Sequence, residues 1–309
     1  MNKICILGSM NMDMVLRVKD QPKEGETILS KSFKKIPGGK GANQAVAAKR
    51  SGAEVSMIAK IGKDDNGKYL KKKLEDENID TSFVFEDDIE ATGMAIITIN
   101  DKGDNSIIVV PGSNMKLKEE EIETVYSSLE KSDILIAQFE TNEDMTIKAF
   151  KKAKELGKVT ILNPAPAKEI DDELLRVTDI IIPNETEAEV LTGVKVESLE
   201  DAQKAGKVFL EKGVKYTIIT LGSKGAAVIT EDSCELVSAY KVNAIDTTAA
   251  GDSFIGGLSS KIQCDNLTKE NLIKSVSFGN KVSSIAVQRA GAQPSIPYLK
   301  EVIDIYGEE

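Results

Sequence analysis

The sequence predicts an α/β fold, because apolar runs typical of buried parallel strands alternate with helical patterns along most of the chain. An acidic helical pattern over residues 119–132 is followed by an apolar run over 133–140 and then by a second helical pattern up to residue 157. At the N-terminus, the apolar run from Lys3 to Leu7 leads directly into polar residues, as expected at the carboxyl end of a buried strand. Residues 1–309 are enough for one large α/β domain, and we expect a single one.

Composition restricts the kind of partner. The chain has 50 acidic and 40 basic residues, so its net charge is −10 and its pI is about 4.9. Surfaces that bind nucleic acid or anionic membranes need clustered lysine and arginine, so we expect neither partner and predict a small-molecule substrate. The longest apolar stretches are shorter than a membrane span, and the N-terminal residues indicate a strand and not a signal peptide. We therefore expect a cytoplasmic protein.

Cysteine and histidine usage narrows the chemistry. The three cysteines, Cys5, Cys234 and Cys264, are far apart and form no C-x-x-C pair, so neither a disulfide framework nor a zinc site is predicted. We interpret them as buried thiols. The chain has no histidine, which excludes histidine-based catalytic triads and leaves carboxylates, lysine or metal-bound oxygen for proton transfer.

The stretch over residues 243–257 is the first candidate site. Its small residues Ala249, Ala250 and Gly251 lie where a strand-like run ends and a helical pattern begins. Unpaired backbone amides at a helix N-terminus form a binding site for an anion such as phosphate. Asp252 follows in the first turn, where a carboxylate on its own is explained by the helix dipole.

A glycine-rich segment over residues 37–48 is the second candidate site. Gly38 and Gly39 run directly into an alanine-rich helical pattern, and Lys40 and Asn43 add hydrogen-bond donors at its start. Glycines allow the backbone to approach a ligand closely, so we expect a polyol site, with a plain glycine-rich helix start as the alternative.

Two polar residues follow the first strand. Asn11 and Asp13 alternate as on one face of an extended segment, for which a capped turn is the alternative. Like the glycine-rich segment, they lie where ligands bind in open α/β sheets.

Alternation and turn residues predict two hairpins outside the main repeat, over residues 14–36 and 91–111. In the first, extended segments over residues 15–18 and 27–36 flank a turn at residues 22–25. We expect them to form a small sheet that acts as a lid. Such a sheet has one apolar face with nothing of its own to cover it, so another surface should pack there.

The segment over residues 62–68 matches the P-loop pattern G-x-x-x-x-G-K but is not interpreted as one. Tyr69 stands where a P-loop needs serine or threonine for Mg²⁺, and Asp64 and Asp65 would repel phosphates. We predict a loop before a charged helix.

The residues from Asp246 to Asp252 read D-T-T-A-A-G-D and resemble the D-T-x-(G/A)-A-G-D motif of the ribokinase-like (phosphofructokinase-B-type) carbohydrate kinases. The resemblance extends from Gly8 to Ser295 with every motif in the family's order. It implies a three-layer α/β/α sandwich with a mainly parallel central sheet and a small β-sheet lid. It also implies a homodimer in which two lids pair.

The resemblance implies ATP-dependent phosphorylation of D-ribose at the 5-hydroxyl, giving D-ribose 5-phosphate and ADP, with Mg²⁺ and K⁺. Asp252 would accept the hydroxyl proton, and the amides from Ala249 to Asp252 would hold the transferring phosphoryl oxygens. The alternatives are a deoxyribose or nucleoside kinase of the same family, or a sugar-sensing protein without catalysis. The intact Gly251-Asp252 pair disfavours the sensor.

The family's motifs also assign residues to ligands. The sugar contacts implied by the resemblance are Asn11, Asp13, Gly38, Gly39, Lys40, Asn43, Glu140 and Asp252. The implied nucleotide contacts are Asn184, Thr220, Leu221, Gly222, Ser223, Lys224, Gly225, Gly251 and Asn280. Helix capping remains an alternative for the carboxylates, a plain strand connection for the glycine loop, and packing for the asparagine near adenine.

Two cation sites are implied in the same way. Asn184 and Glu187 match an N-x-x-E motif that helps to hold Mg²⁺ through water. A monovalent cation would be enclosed by Asp246, by Ser295 and by the backbone carbonyls of Thr248, Ala286, Arg289 and Gly291. The alternative for Asp246 is that it caps its own turn.

Overall fold

The computed structural model describes residues 1–307, which form two β-sheets of nine and four strands and ten α-helices. The strands are β1 (Lys3–Leu7), β2 (Asn11–Arg17), β3 (Ser32–Gly38), β4 (Glu54–Gly62), β5 (Asp80–Asp87), β6 (Met94–Ile99), β7 (Asn105–Val110), β8 (Ile134–Gln138), β9 (Val159–Asn163), β10 (Ile180–Ile181), β11 (Tyr216–Thr220), β12 (Gly225–Ile229) and β13 (Cys234–Ser238). The helices are α1 (Lys40–Arg50), α2 (Asp65–Asp76), α3 (Glu119–Lys131), α4 (Glu143–Glu155), α5 (Asp172–Arg176), α6 (Glu185–Thr192), α7 (Leu199–Glu211), α8 (Ala250–Lys261), α9 (Lys269–Ala286) and α10 (Leu299–Tyr306). None of these helices is both long and apolar enough to cross a bilayer.

The large sheet is mainly parallel, as predicted. Its strand order is β13-β12-β11-β10-β9-β8-β1-β4-β5, and every neighbouring pair from β11 to β5 is parallel. Among the nine strands, β12 alone runs in the opposite direction, so its pairs with β11 and β13 are antiparallel. In the centre, Ile4 of β1 lies opposite Val55 on one side and Ile134 on the other. The carboxyl ends of β1, β8, β9, β10 and β11 therefore share one edge.

Successive side chains of the central strands point to opposite faces of the large sheet, and helices cover both faces, which gives three layers. Ile4 and Ile6 pack on one face of the sheet against residues of α1, α8 and α9. Cys5 and Leu7 point to the opposite face, where they pack with residues of α3 and α4. Buried parallel strands need apolar residues on both faces, which explains the continuous apolar run that predicted β1. The α/β/α sandwich is confirmed.

A glycine sets the distance between α1 and α8. A Cβ atom at Gly256 would lie 2.5 Å from the Cβ atom of Ala47 and 2.7 Å from the carbonyl oxygen of Gln44. These distances are shorter than non-bonded contacts allow, so only glycine lets α8 lie this close to α1. The first turns of both helices then meet at the carboxyl edge of the large sheet.

The small sheet has the order β3-β2-β6-β7 and contains both predicted hairpins. The two hairpins join through the parallel pair β2 and β6. Two boundaries differ from the prediction. The strand β2 begins at Asn11, so Asn11 and Asp13 are part of the lid itself. Residues 27–31 are not a strand, because β2 ends at Arg17, which lies opposite Ser32.

The rejected P-loop segment begins the helix α2. Asp64 precedes this helix, and its carboxylate accepts hydrogen bonds from the amides of Gly67 and Thr92, each at 2.8 Å. Helix α2 starts at Asp65, which lies inside the segment over residues 62–68 that was predicted as a loop. The Asp64 carboxylate, which is unfavourable for phosphate binding, thus links the start of α2 to Thr92, shortly before β6.

The interpretation of all three cysteines as buried thiols is wrong for two of them. Cys5 is buried beside Ser56, with 3.0 Å between Sγ and Oγ. Cys234 and Cys264 are half-buried, because Cys234 lies on the edge strand β13 and Cys264 in a short turn after α8.

Candidate active site

A cavity of about 210 Å³ lies at the carboxyl ends of the parallel strands. It joins segments that are far apart in the sequence, namely the first residue of α1, the ends of β9, β10 and β11, and the first turn of α8. Its lining residues are Lys40, Asn163, Ala165, Ile182, Asn184, Glu187, Thr220, Thr247, Ala249, Ala250, Gly251, Asp252 and Ile255. Eight of them were predicted as site residues from motifs.

Asp252 is the most enclosed acid at this cavity, with 8% of its surface exposed. Asn43 donates from Nδ2 to Oδ2 of Asp252 at 3.0 Å, and Gln44 donates from Nε2 to Oδ1 at 3.0 Å. A buried charge is costly unless it is hydrogen-bonded, and these two amides supply the bonds from α1. The Oδ1 atom of Asn43 is itself buried and has no hydrogen-bond partner within residues 1–307.

The turn before α8 has an unusual backbone. Ala249 adopts a left-handed conformation, with φ of 57° and ψ of 18°, which costs an L-residue about 1–2 kcal/mol. The amides of a first helical turn lack intrahelical acceptors. Four amides were predicted to hold phosphoryl oxygens, but that of Ala250 donates to the carbonyl of Thr247 at 3.1 Å. A Cβ atom at Gly251 would meet no atom within 4 Å, so this side of the turn is open.

Glu140 connects the predicted sugar residues. Its Oε2 atom accepts hydrogen bonds from the Ser9 hydroxyl, from the Lys40 amide at 3.2 Å and from Nδ2 of Asn11 at 3.5 Å. The carboxylate therefore binds the first amide of α1 and also faces the lid strand β2. Glu140 therefore caps the start of α1 and also lies beside the predicted sugar residues.

Asn114 fixes the orientation of Asn11 and was missed in the sequence. It is 1% exposed and follows the lid strand β7. Its Oδ1 atom accepts from the Met10 amide at 3.0 Å, so its Nδ2 atom must face Oδ1 of Asn11, at 2.7 Å. The Nδ2 atom of Asn11 then points towards Glu140. No local motif marks Asn114, because its partners are about a hundred residues away.

Charges at the site are interdependent. Burial, together with the nearby carboxylates of Glu140 and Asp252, raises the pKa of Asp13 to about 7. Burial acts to lower the pKa of Lys40, but the carboxylates of Asp252, Glu140 and Glu187 outweigh it and the pKa is raised. Lys40 is therefore a cation held between acids on both sides of the site.

Gly38 lies against Asp13. A Cβ atom at Gly38 would come within 2.2 Å of Oδ2 of Asp13, so a larger residue here would displace the carboxylate. Gly39 follows as the residue before α1. The predicted contact residues of the glycine-rich segment are thus gathered around Asp13, Asn11 and Asp252.

Asn184 and Glu187 form a reciprocal cap at the start of α6. The Glu187 amide donates to Oδ1 of Asn184 at 2.7 Å, and the Asn184 amide donates to Oε2 of Glu187 at 2.9 Å. Burial is the main cause of a raised pKa for Glu187. Both residues line the cavity, and capping leaves one carboxylate oxygen of Glu187 outside the cap.

The predicted nucleotide loop is only partly at the cavity. Thr220 lines it, whereas the following residues from Leu221 to Gly225, including Gly222, Ser223 and Lys224, lie outside its lining in the described chain. Asn280 donates from Nδ2 to the carbonyls of Val237 at 3.0 Å and Ser238 at 3.2 Å. It therefore anchors the end of the edge strand β13, as the packing alternative proposed.

Asp246 joins two loops. Its Oδ1 atom accepts from the Thr248 amide at 2.9 Å and from the Thr248 hydroxyl at 2.6 Å, and its Oδ2 atom accepts from the Gly291 amide at 2.8 Å. Burial acts to raise the pKa of Asp246, but these hydrogen bonds outweigh it and the pKa is lowered. An ionised carboxylate thus holds the turn before α8 against the loop after α9.

The other residues of the predicted monovalent site have other hydrogen-bond partners. The carbonyl of Ala286, the last residue of α9, accepts the Arg289 amide at 3.0 Å, and the Arg289 side chain pairs with Glu301 at 2.6 Å. Ser295 is buried and donates to the Ala292 carbonyl at 2.7 Å. Hydrogen bonds thus join Asp246, Thr248 and Gly291 directly, and the monovalent site stays a prediction.

Comparisons with known proteins agree with this fold. The family model described as pfkB family carbohydrate kinase matches residues 1–299. A ribokinase of Staphylococcus aureus is 43% identical over 302 residues, which cover 97% of this chain and 98% of that protein. A deoxyribokinase of Salmonella typhi is 34% identical and covers 96% of both. The solved structure of Arabidopsis thaliana ribokinase complexed with ribose and ATP superposes with a TM-score of 0.90 at 30% identity, covering 100% of this chain and 99% of the other.

A match over almost the whole length, by family model, sequence and fold together, confirms the resemblance deduced from the motifs. The chain belongs to the pfkB family of carbohydrate kinases.

Proposed function

We propose that the chain transfers the terminal phosphoryl group of ATP to the 5-hydroxyl of D-ribose, giving D-ribose 5-phosphate and ADP. The observation that carries the proposal is the position of Asp252. Its carboxylate lies in the first turn of α8, where it lines the cavity at the helix N-terminus and is also close to the carboxylates of Asp13 and Glu140. Relatives named ribokinase, at up to 43% identity, support the choice of ribose. With ATP as the donor, we expect the enzyme in the cytoplasm.

The pocket on the lid side suits a neutral polyol. Asp13, Glu140 and Asp252 offer carboxylate oxygens, and the buried Oδ1 atom of Asn43 is an acceptor that lacks a partner within residues 1–307. Sugar hydroxyls are donors that satisfy such oxygens. A phosphorylated sugar would bring negative charge among three acids, so the pocket favours the unphosphorylated substrate.

The opposite side suits the phosphates. Residues 249–252 at the start of α8 line the cavity, and the Lys40 cation lies near Asp252. In this arrangement Asp252 accepts the proton of the attacking hydroxyl, while Lys40 and the amides offset charge on the transferring group. Asn184 and Glu187 would hold Mg²⁺ through water, since their oxygen ligands suit a hard cation. Bound there, Mg²⁺ would neutralise charge on the triphosphate.

Two other activities are candidates. A deoxyribose kinase is suggested by the similarity to the Salmonella typhi deoxyribokinase, and a nucleoside kinase of known structure shares the general fold. The test is a substrate panel of ribose, 2-deoxyribose and adenosine, with ADP release as the readout. We expect kcat/KM for ribose to exceed that for 2-deoxyribose about tenfold or more, because a missing hydroxyl leaves buried polar groups unpaired. Equal values for the two sugars would count against ribose, and faster turnover of adenosine would replace it.

The fall in activity towards low pH should depend on the protonation of Asp13. Its pKa of about 7 means that below this pH the free enzyme carries the protonated acid, which is a poorer acceptor for sugar hydroxyls. We expect kcat/KM for ribose to fall about tenfold per pH unit below 7, since this parameter reports groups of the free enzyme. In Asp13→Asn the overall value should be lower and the limb near pH 7 should disappear. An unchanged limb in that variant would show that another group titrates.

The lid supports a homodimer through its exposed apolar face. In the register of the small sheet, Val15, Ile97 and Ile107 lie in one cross-strand row, and the adjacent row with Asp13 is on the same face. Ile107 is 55% exposed, and it lies on β7, the unpaired edge of the lid. Apolar residues on an exposed edge strand favour pairing with another chain. A partner on this face would also border the sugar.

We therefore expect a dimer by light scattering at micromolar concentration, and a monomer with reduced ribose turnover for Ile107→Lys. Ile108→Lys is the matched control, because Ile108 is 64% exposed on the opposite face of the same strand. A fully active monomer of the unmodified chain would contradict the lid-mediated dimer, as would equal dissociation by both variants.

We also propose a monovalent cation, K⁺, at the joint between the turn before α8 and the loop after α9. The ionised Asp246 and the helix C-terminus supply negative charge there. The measurement is turnover in K⁺, in Na⁺ and in a bulky organic cation at constant ionic strength, with protein freed of bound K⁺. We expect clear loss with the organic cation and a weaker K⁺ response in Asp246→Ala than in Asp232→Ala, which removes an exposed acid. Activity independent of the cation would contradict this site and leave the kinase proposal intact.

A further inference from the structure

We propose that Gln44 is a positioning residue that holds the Asp252 carboxylate in one orientation through a buried chain of side-chain amides. The inference rests on the proposed role of Asp252 as the proton acceptor. It concerns a residue that contacts neither cavity nor predicted ligand, because Gln44 is fully buried on α1. The Gln44 side chain bonds to the amide of Asn163 and to the carboxylate of Asp252, and the amide of Gln138 bonds to Gln44 from the other side.

The polarity of this chain is fixed by a backbone carbonyl. The Ile182 carbonyl can only accept, so the Nδ2 atom of Asn163 must face it, at 3.1 Å. The Oδ1 atom of Asn163 is then turned towards Gln44, at 3.1 Å from Nε2. Gln44 must therefore present its amino group on this side, and its Oε1 atom faces Gln138, whose Nε2 atom donates at 2.7 Å.

The consequence reaches Asp252. The Gln44 amino group has two hydrogens, one bonded to Asn163 and the other to Oδ1 of Asp252 at 3.0 Å. Because Gln44 is fully buried, water does not offer a replacement for either bond. Oδ1 is thus held towards the core, and Oδ2, which accepts from Asn43, is the oxygen left for the sugar hydroxyl. A base held in one rotamer needs no reorientation at each turnover.

The close helix contact makes the arrangement rigid. Gly256 lies one turn after Asp252, and its lack of a side chain lets α8 rest against the backbone of Gln44. The amide chain and the base are therefore attached to the same two helices at their closest approach. A change at Gln44 reaches the cavity lining at Asp252 and at Asn163, and Asn163 stays bonded to the Ile182 carbonyl when Gln44 is replaced.

The experiment compares Gln44→Met, Gln44→Glu and Gln138→Met by kcat and by KM for ribose and ATP. We expect Gln44→Met to lower kcat about 10- to 100-fold, the effect of losing a hydrogen bond to a buried charge, with both KM values within about threefold. Gln44→Glu keeps the shape but places a second acid beside Asp252, so its kcat should be lower still. If Gln44 only filled space, Gln44→Met, which has a similar length and volume, would keep near wild-type kcat, and that result would overturn the inference.

Gln138→Met is the matched control. It removes a buried amide of the same type that does not touch Asp252, and the Ile182 carbonyl still fixes the polarity of the chain. We expect kcat to change by at most about threefold, with a melting temperature lowered about as much as in Gln44→Met. An equal loss of kcat in both variants would show a general packing effect and contradict a specific role for Gln44.

Asp252→Asn separates the inference from the proposed function. If this variant loses turnover while Gln44→Met keeps it, Gln44 is not a positioning residue and the proposed function stands. If both variants keep near wild-type turnover, Asp252 is not the base, and the positioning role fails with it.

Discussion

The burial of one carboxylate, Asp252, is the constraint on which the rest of the site depends. A charge in this position is unfavourable unless donors surround it, and the donors Asn43 and Gln44 are consecutive residues of α1. They reach Asp252 only because Gly256 allows α8 to approach α1 closely. The fold therefore supplies three things at the same point: an acid, its hydrogen-bond donors and the N-terminus of a helix. This combination suits transfer of a phosphoryl group to a hydroxyl, which needs positioning and charge stabilisation more than covalent chemistry.

The lid and the sheet share the sugar residues between them. Asn11 and Asp13 belong to the lid strand β2, Glu140 follows the central strand β8, and Lys40 begins α1. Asn114 links the exit of the lid to Asn11, so the orientation of one predicted sugar residue depends on both ends of the lid. The Lys40 cation lies near carboxylates on the sugar side and on the phosphate side, and its charge offsets the electrostatic repulsion between them. The pKa of Asp13 in the lid strand likewise depends on Glu140 at the large sheet and on Asp252 at α8.

Much of the fold and of the site could be predicted from the sequence, and the features that could not be predicted have a physical reason. The strand Lys3–Leu7 was predicted with the observed bounds, because buried parallel strands produce continuous apolar runs. The motif residues were recognisable because each acts within a contiguous segment. Gln44, Asn163 and Asn114 were missed as site residues, since their roles come from hydrogen bonds between distant segments that no local pattern encodes. The left-handed backbone of Ala249 was hidden too, because alanine ordinarily avoids this conformation.

The most direct measurement of the central claim is single-turnover phosphoryl transfer to ribose by Asp252→Asn, with ribose and ATP binding measured on the same protein by calorimetry. Asparagine keeps the size of the side chain and one acceptor oxygen but cannot take up the proton. The account predicts a transfer rate about 10²-fold lower or more, the usual scale for loss of a general base, with both ligands still bound. Transfer at close to the wild-type rate, with ribose and ATP bound normally, would contradict it.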